Sequence, residues 1–401
     1  MKNLTIKNIF AQKILDSRGN WTVKAKVITQ DGYFEGSVPS GASKGKYEAK
    51  TIDVDKAIEI INKVFATKLK GKKVTEQKNI DKFLNPQKFG ANSTLAVSLA
   101  VCRAGAKSKG LPLYKYIAQI SENKTSLKLP FPCFNIINGG VHAGNELDFQ
   151  EFMIVFREKS FYQNLSLAIK IYHELKKIIK EKFIDLAINL GDEGGFAPPI
   201  LAPEEAIDLI LEAGEKLGLK KKIKIIIDVA SSQFYKRGKY KMKIGSFTKE
   251  ELIKYYLVLI KKYPILGLED PFAENDWQGW QKFCENLKGQ NKKLLIIGDD
   301  LLVTNPKRIK RAREKKACNS AIIKINQIGN LSKAICAVKL AKSFGWKIVV
   351  SHRSGETTDD FISDFAVGVG ADFIKSGAPA RGERVVKYNR LLEIANQLNK
   401  I

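Results

Sequence analysis

Short apolar runs alternate with amphipathic stretches in the larger, C-terminal part of the chain. Five of six apolar runs lead directly into a charged residue, and the sixth, Trp346–Val350, leads into Ser351 and His352. The runs cover Ile223–Ile227, Ile265–Leu268, Leu294–Gly298, Ala321–Ile323, Trp346–Val350 and Asp372–Ile374. Helical patterns lie between them, over Lys249–Lys262, Trp277–Leu287, Asn305–Lys316, Asn330–Phe344 and Asp359–Val367. Because parallel strands that are buried on both faces read as continuous apolar runs, this alternation predicts successive β/α units.

Two architectures with parallel strands fit such a repeat, a closed barrel and an open doubly wound sheet. An open sheet usually binds its ligand at one switch point, whereas a β/α barrel places its chemistry at the C-terminal ends of its strands. An ionisable residue at every strand end therefore favours the barrel. We predict an α/β protein in which residues 126–401 form a (β/α)8-like TIM barrel.

The first 125 residues have a different pattern. Trp21–Ile28 alternates loosely between apolar and polar positions, and Tyr33–Val38 follows it after an Asp-Gly turn, which predicts a pair of strands. Asp55–Val64 and Thr94–Ala106 carry apolar residues at helical spacing. We therefore predict a smaller α+β domain over residues 1–125, ahead of the barrel.

Three carboxylates, Asp228, Glu269 and Asp299, follow successive predicted strands. Oxygen ligands on a rigid ring suit a hard cation that prefers octahedral coordination, above all Mg²⁺. Lys324 follows the next strand. A buried lysine with a lowered pKa can act as a base, whereas a lysine that is paired with carboxylates stays charged and structural. The pattern of residues leaves both alternatives open for Lys324.

The last two predicted strands lead into residues that suit an anionic ligand. His352, Arg353 and Ser354 follow one strand, and Lys375 follows the next. A planar bidentate donor beside a hydroxyl and a further positive charge is a combination that binds phosphate or carboxylate groups. We therefore expect an anion to bind at this side of the barrel mouth.

Glycine-rich loops supply further candidate residues. Glu193 lies in one such loop, and a segment with His142, Gln150 and Glu151 forms another polar cluster. Glycines allow the backbone to approach a ligand closely while the carboxyl groups stay exposed. Residues 40–45 form a third glycine-rich loop, which lacks the Gly-Lys-Ser/Thr ending of a phosphate-binding P-loop.

The chain carries a formal net charge of +26, from 68 Lys and Arg against 42 Asp and Glu. Such a surface attracts polyanions and anionic membranes. The positive residues form short runs without the interleaved aromatic residues that single-strand binders use. A solvated surface is the simpler interpretation, and binding of RNA or surface proteins is the alternative.

Composition excludes several classes of protein. No apolar run approaches the roughly 18 residues of a membrane span, and the first residues lack the apolar core of a signal peptide. The five cysteines form no CxxC pair, which disfavours a disulfide framework or a zinc site. We therefore expect a cytoplasmic protein without a membrane span.

Motifs spread in order over nearly the whole chain resemble those of the enolase (phosphopyruvate hydratase) family. They are Asp16–Asn20, Ser37–Ser43, Asn138–Asn145, Gln150–Met153, Gly191–Gly195, Glu269–Pro271, Gly298–Leu301, Lys324–Gly329, Ser351–Glu356 and Ile374–Arg381. The resemblance implies an enolase-type barrel and a hydro-lyase that reversibly dehydrates 2-phosphoglycerate to phosphoenolpyruvate in glycolysis and gluconeogenesis. It also implies two Mg²⁺ ions per active site.

The resemblance assigns a role to each motif residue. The metal positions are Asp228, Glu269 and Asp299 for a first ion, and Ser43 for a second ion that arrives with substrate. The catalytic positions are Lys324, which removes the C2 proton, Glu193 with Glu151, which protonates the departing hydroxyl, and His142. The substrate-binding positions are Gln150, His352, Arg353, Ser354 and Lys375. A lysine base with Mg²⁺ is a known pattern of the enolase superfamily.

The family also implies a homodimer or octamer and, in some members, a second role at the cell surface. Trp21, Gln233 and Gly382 depart from the family pattern, and the chain is shorter than usual after Asp53, but none of these positions has an assigned role. Two alternatives compete with an enolase. One is another lyase or isomerase of the superfamily, and the other is a basic scaffold that binds RNA, membranes or host proteins.

Residues of the motifs discriminate between these alternatives. Ser43, His142, Glu193, Arg353 and Ser354 together form a set suited to a phosphate-bearing substrate, which disfavours other members of the superfamily. Retention of both Lys324 and Glu193 favours an enzyme over a scaffold.

Overall fold

The structure is a computed structural model that describes residues 4–41, 45–183, 185–288 and 294–398. The described chain begins with a three-stranded antiparallel sheet in the order β1-β2-β3. Its strands are β1 (Asn8–Leu15), β2 (Trp21–Thr29) and β3 (Gly32–Ser37). The two strands predicted in this region are confirmed within one residue at each end, and β1 was not singled out by the sequence pattern.

Helices cover one face of this sheet. They are α1 (Val54–Glu59), α2 (Ala66–Leu69), α3 (Gln77–Phe83), α4 (Pro86–Phe89), α5 (Ala91–Lys109) and α6 (Leu113–Ile120), with one wider helical stretch, Ile60–Phe65, between α1 and α2. The sheet packs on α5 at very short range, because a Cβ at Gly36 would lie 2.3 Å from the carbonyl oxygen of Ala96. Val23, Ala25 and Val27 of β2 are buried in this layer, which forms the core of the first domain.

Eight further strands close into a barrel in the order β4-β5-β6-β10-β11-β12-β13-β14. They are β4 (Phe131–Asn138), β5 (Glu151–Val155), β6 (Lys224–Asp228), β10 (Ile265–Glu269), β11 (Leu295–Gly298), β12 (Ser320–Ile323), β13 (Lys347–Ser351) and β14 (Phe373–Lys375). A small separate sheet contains β7 (Tyr235–Lys236), β8 (Lys239–Met242) and β9 (Gly245–Phe247). The predicted barrel is confirmed, and the predicted division between residues 125 and 126 falls between α6 and β4.

Helices follow the barrel strands. They are α7 (Phe161–Lys182), α8 (Pro203–Lys216), α9 (Lys249–Lys262), α10 (Trp277–Asn286), α11 (Pro306–Glu314), α12 (Ile325–Ile328), α13 (Leu331–Ser343), α14 (Phe361–Gly368) and α15 (Gly382–Gln397). Side chains that point inward fill the barrel below its mouth. They are Cys133, Met153, Val155, Ile226, Leu295, Ile297, Ile322, Val349 and Phe373. Because this interior is packed, polar chemistry is confined to the C-terminal end of the strands.

Strand β5 runs opposite to the other barrel strands. It pairs antiparallel with both β4 and β6, whereas the remaining neighbours pair in parallel. Glu151, the first residue of β5, therefore pairs with Asn138 and Asp228, which are the last residues of their strands. The reversal brings a carboxylate to the barrel mouth from the beginning of a strand instead of its end.

An ion-pair cluster joins the first domain to the barrel. Arg103 on α5 donates to Asp359 at 2.8 and 3.0 Å and to Asp360 at 2.9 Å. Burial alone raises the pKa of Asp359, but the positive charge and hydrogen bonds of Arg103 outweigh burial and hold that pKa below its ordinary value. Among the described residues, no helix is both long and apolar enough to cross a bilayer.

We expect Arg103→Met to lower the free energy of unfolding by about 2 kcal/mol at pH 7, because the substitution leaves two partly buried carboxylates without their hydrogen-bonded partner. The folded pKa of Asp359 is depressed, so its contribution is complete above the unfolded value near 3.9 and is lost as the pH falls through the folded pKa. Urea unfolding at pH 7, 5 and 3 measures this, and the gap between wild type and variant should narrow only at the lowest pH.

The control is Lys63→Ala, which removes an exposed ion pair with Glu59. Its urea midpoint should match wild type at every pH, because exposed pairs contribute little. A gap of constant size for Arg103→Met down to pH 3 would contradict the assigned role of Asp359.

Candidate active site

A polar pocket opens at the C-terminal end of the barrel strands. Eleven of the thirteen residues predicted for the site line it. They are His142, Gln150, Glu151, Glu193, Asp228, Asp299, Lys324, His352, Arg353, Ser354 and Lys375. Glu269 lies directly behind this lining and is 1% exposed. Ser43 lies outside the described residues.

Strand ends hold most of these side chains. Asp228, Glu269 and Lys375 are the last residues of β6, β10 and β14, while Asp299 and Lys324 directly follow β11 and β12. Backbone pairing of neighbouring strands fixes their heights around the barrel, so the side chains need little further ordering. The first domain reaches the same mouth, because Ser40 and Gly355 exchange two backbone hydrogen bonds of 2.7 and 2.9 Å and Gly41 lines the pocket.

The ammonium group of Lys375 lies among three buried carboxylates. Its Nζ is 2.9 Å from Glu151, 3.1 Å from Asp228 and 3.0 Å from Glu269. Burial lowers the pKa of Lys375, but the charges of Asp228, Glu151 and Glu269 outweigh burial and hold this pKa well above its ordinary value. Burial and the nearby charge of Asp228 raise the pKa of Glu269. One ammonium group therefore leaves surplus negative charge at this point.

Lys324 is paired with Asp299. The Lys324 ammonium donates to one carboxylate oxygen of Asp299, and the side-chain amide of Gln327 donates to the other at 3.0 Å. Burial lowers the pKa of Lys324, but the charge of Asp299 outweighs burial, so this pKa lies above its ordinary value. Lys324 is therefore a charged partner of Asp299.

Glu193 lines another part of the pocket, among hydrogen-bond donors. Its Oε2 is 3.0 Å from Nε2 of His352 and accepts a hydrogen bond of 3.0 Å from Asn135. Burial raises the pKa of Glu193, but the interactions with His352 and His142 outweigh burial and hold this pKa well below its ordinary value. Burial together with the charge of Glu193 raises the pKa of Glu151. The environments thus push the pKa values of two neighbouring carboxyl groups apart.

His142 links these two carboxyl groups. Its Nδ1 lies 3.5 Å from Glu151 and 3.6 Å from Glu193. These distances are longer than direct hydrogen bonds, so the three side chains are adjacent without being locked together. The arrangement gives a proton two acceptors of different basicity with a histidine between them.

Sequence reasoning missed Glu48 as a member of the site. Its two carboxylate oxygens accept hydrogen bonds of 3.1 and 3.2 Å from the guanidinium of Arg353, and Asn326 accepts a third at 3.2 Å. A fork-to-fork pair of this kind is the geometry with which arginine binds carboxylates and phosphates. Only the distance along the chain hid Glu48, since it is 305 residues away from Arg353.

Three more pocket residues had no predicted role. The carboxylate of Asp270 accepts hydrogen bonds from the backbone N–H groups of Asp299 and Asp300 at 3.0 and 2.6 Å. Burial and the charge of Asp299 raise the pKa of Asp300 to about 7. Gln233 donates to Gln150 at 2.6 Å and thereby orients it. The sequence did offer a signal for Asp270 and Asp300, because adjacent acidic residues, Glu269-Asp270 and Asp299-Asp300, stand where strands β10 and β11 end.

Comparison with known proteins identifies the family. Residues 6–117 match the family model described as the N-terminal domain of enolase, and residues 126–401 match the model described as the C-terminal TIM barrel domain of enolase. The chain is 48% identical to the enolase of Mastigamoeba balamuthi over 425 aligned positions, which cover 98% of this chain and 96% of that protein. The chain belongs to the enolase family. It is a phosphopyruvate hydratase, a carbon–oxygen hydro-lyase that interconverts 2-phosphoglycerate and phosphoenolpyruvate.

Enolases use a divalent metal ion, and the pocket suits one. The predicted ligands of this enolase, Asp228, Glu269 and Asp299, offer only carboxylate oxygens, which hard divalent cations prefer. Burial first and the charge of Asp228 next raise the pKa of Glu269, so a cation bound beside this carboxylate would stabilise its charged form. Two groups in the described chain bring their ligand atoms within 4.8 Å of one another, His142-Glu151-Glu193 and Asp270-Asp299-Asp300. The predicted trio is more widely spread, because the Lys375 ammonium lies between Asp228 and Glu269.

We expect Mg²⁺ to stabilise this enolase in the absence of substrate. A ligand that binds only the folded state stabilises it by about 2.7 kcal/mol at 100 times its dissociation constant. Thermal unfolding with and without Mg²⁺ measures the effect, and Glu269→Gln should lose most of it.

The matched control is Asp81→Asn, which changes a buried carboxylate in α3, away from the pocket. That variant should unfold at a lower temperature but keep its full response to Mg²⁺. An undiminished response in Glu269→Gln would contradict the predicted ligand set.

Proposed function

We propose that this enolase works with Mg²⁺, two ions per active site, with Lys324 as the base at C2 of 2-phosphoglycerate and Glu193 as the acid at its C3 hydroxyl. The observation that carries the proposal is the convergence of both groups, Arg353 and the acidic strand ends on one buried polar pocket. Lys324 and Glu193 belong to different clusters, since Lys324 pairs with Asp299 whereas Glu193 contacts His352 and Asn135. A substrate between them could lose a proton on one side and a hydroxyl on the other.

The proton at C2 is a very weak acid, so its removal needs a base and stabilisation of the product anion. Lys324 can receive the proton at Nζ only when its amine is neutral. Its pairing with Asp299 opposes that neutral form, because the charge of Asp299 holds the pKa of Lys324 above its ordinary value. Asp299 is also one of the three carboxylates that would hold Mg²⁺ with Asp228 and Glu269. A cation held by Asp299 would weaken the attraction that keeps Lys324 charged.

Bound Mg²⁺ supplies Lewis-acid stabilisation to the negative charge that develops at the carboxylate end of the substrate. The chain's own cations act in the same direction. Lys375 holds a permanent positive charge beside the strand-end carboxylates, because their attraction keeps its pKa well above the ordinary value. In the proposal Ser43 helps to hold the second ion.

Departure of the hydroxyl needs a proton, and the pair Glu151 and Glu193 can hold one. The pKa of Glu151 is raised and that of Glu193 is lowered, so a shared proton resides on Glu151 in the free pocket. His142 lies between the two carboxyl groups, at 3.5 and 3.6 Å. We infer that Glu193 delivers the proton and that Glu151 is the store from which Glu193 is recharged.

Arg353 and Ser354 bind the substrate phosphate in this proposal, with Gln150 and His352 as further pocket contacts. The support is the fork of Arg353, which already holds a planar anion, the carboxylate of Glu48. An incoming phosphate offers the same guanidinium a stronger anionic partner. Glu48 therefore keeps Arg353 extended into the pocket before substrate binds.

We also propose that this enolase acts in the cytoplasm as a homo-oligomer. All five cysteines are free, as expected in a reducing compartment. Phe10 and Tyr33 are exposed on the outer face of the first sheet, and Leu15 and Trp21 are exposed at the end of the sheet where β1 leads into β2, with 46–61% of each residue accessible. Apolar and aromatic side chains of this kind are typical of protein interfaces.

We expect Lys324→Ala to abolish exchange of the C2 proton of 2-phosphoglycerate with solvent, because no other group is proposed to accept that proton. Turnover should fall by at least about 10²–10⁴-fold. Proton NMR in deuterium oxide follows exchange, and formation of phosphoenolpyruvate follows turnover. EDTA should abolish both in the wild type. The control Lys333→Ala should behave like wild type, and full exchange in Lys324→Ala would refute the base.

We expect Glu193→Gln to separate the two halves of the reaction. The amide cannot supply a proton, so dehydration should fall by about 10²–10⁴-fold, while exchange at C2 continues through Lys324. The same two measurements test this expectation. Glu204→Gln, which changes a carboxylate that bonds Tyr255 outside the pocket, is the control. Equal loss of exchange and dehydration in Glu193→Gln would argue against its role as the acid.

A further inference from the structure

A buried arginine lies beneath the pocket and takes no part in the steps above. The side chain of Arg384 is 0% exposed. It belongs to the first turn of α15, where the helix dipole disfavours a positive charge. A buried charge is also costly unless other groups compensate it. Strong compensating contacts must therefore exist.

Those contacts join the two loops that carry His352 and Glu193. Nη1 of Arg384 donates to the carbonyl oxygen of Arg353 at 2.6 Å, and Nη2 donates to the carbonyl oxygens of Ser354 and Asp192 at 2.6 and 2.9 Å. The nearest carboxylate, that of Glu383, is 3.5 Å from Nε. The guanidinium is therefore held by neutral backbone acceptors at short range, and its charge remains available to its surroundings.

The remaining contact of Arg384 is with the imidazole of His352. Nη1 lies 2.6 Å from Nδ1 of His352, and Nε2 on the other side of the ring lies 3.0 Å from Oε2 of Glu193. A guanidinium can only donate, so Nδ1 must be the acceptor and carries no proton. The ring proton is therefore on Nε2, from which it is donated to Glu193.

The charges that face His352 agree with a neutral ring. They belong to Glu193, which favours protonation, and to Arg384 and Lys375, which oppose it. Burial first and the charge of Arg384 next lower the pKa of His352 to about 3, despite the attraction of Glu193. The fold keeps room for the arginine, because a Cβ at Gly377 would lie 3.0 Å from Cδ of Arg384.

We propose that Arg384 is a positioning residue for the acid, which fixes His352 as the neutral tautomer with its proton on Nε2. With Nδ1 occupied, the ring can neither take a second proton nor turn its lone pair toward Glu193. Glu193 then keeps one fixed donor, and the proton that it delivers to substrate is exchanged only with Glu151 and solvent. This inference rests on the proposed acid role of Glu193.

The direct test is nitrogen-15 NMR of the histidine rings. The chain has only three histidines, and His352→Gln identifies the signals of His352 by their loss. In the wild type we expect Nδ1 of His352 to be unprotonated and Nε2 protonated from pH 8 down to about pH 5. Protonation of Nδ1 in the wild type would overturn the proposal. This measurement needs no variant of Arg384, so it remains decisive if those variants do not fold.

Variants add the functional consequence. Arg384→Met frees Nδ1 and removes one opposing positive charge, so the pKa of His352 should rise above its wild-type value, although burial still lowers it. Turnover should then fall by about tenfold for each pH unit below that new pKa, because an imidazolium ion beside Glu193 holds it as a carboxylate. Arg384→Lys, which keeps a positive donor, should restore the wild-type profile in part. A pH profile that is lower by a constant factor would indicate a structural role alone and overturn the proposal.

The matched control is Lys387→Met. Lys387 is also 0% exposed, lies one turn further along α15 and donates to the carbonyl oxygens of Thr357 and Glu383 at 2.9 and 2.7 Å. Its loss should destabilise the same helix without a new titration of His352, and the same titration in Lys387→Met would overturn the proposal. Failure of the acid role of Glu193 can be distinguished from failure of this proposal. If Glu193 is not the acid, Glu193→Gln should dehydrate substrate at the normal rate, whatever the tautomer of His352.

Discussion

The crowding of negative charge at the barrel mouth is the constraint on which the rest of the site depends. Glu151, Asp228 and Glu269 surround the single ammonium group of Lys375, and Asp299 holds Lys324. Each of these carboxylates is buried, so each would protonate or repel its neighbours without a cation. Cations from the chain satisfy part of this demand, and a divalent metal ion held by the same carboxylates would complete it. The lysines and such a metal ion would therefore meet the same electrostatic requirement.

The local and overall charges act on different partners. The whole chain carries a net charge of +26. This charge attracts an anionic substrate over about one Debye length, roughly 8 Å at physiological ionic strength. Inside the pocket the balance is reversed, and acidic groups at strand ends attract the cations that neutralise the substrate once it is bound. An anion thus approaches a positive molecule and enters a pocket in which cations are held by carboxylates. This separation explains how a basic protein can carry an acidic active site.

Residues whose place at the barrel mouth follows from the local sequence pattern were predictable, and those whose place depends on contacts across the fold were not. Asp228, Glu269 and Asp299 follow apolar runs. Because these runs are successive strands of one barrel, the three residues lie together at the C-terminal end of the barrel. The reversed direction of β5 has no such signature, so the position of Glu151 beside Asp228 needed the structure. Glu48 contacts Arg353, and Arg384 contacts His352, in each case across a long stretch of chain. The sequence around Glu48 and Arg384 resembles that of an ordinary loop or helix, so it gave no signal of these contacts.

The protonation states of Lys324 and Glu193 are set by different interactions. On the side of Lys324, a carboxylate keeps the proton in place, and competition for that carboxylate by a cation can release it. On the side of Glu193, permanent donors fix the carboxylate, and the guanidinium of Arg384 prevents the adjacent histidine from changing its protonation. In the proposed mechanism the base, Lys324, is therefore responsive to ligand binding, while the surroundings of the acid, Glu193, are rigid. A reaction that removes a proton before it donates one benefits from this order, because only the first transfer would then depend on bound cations.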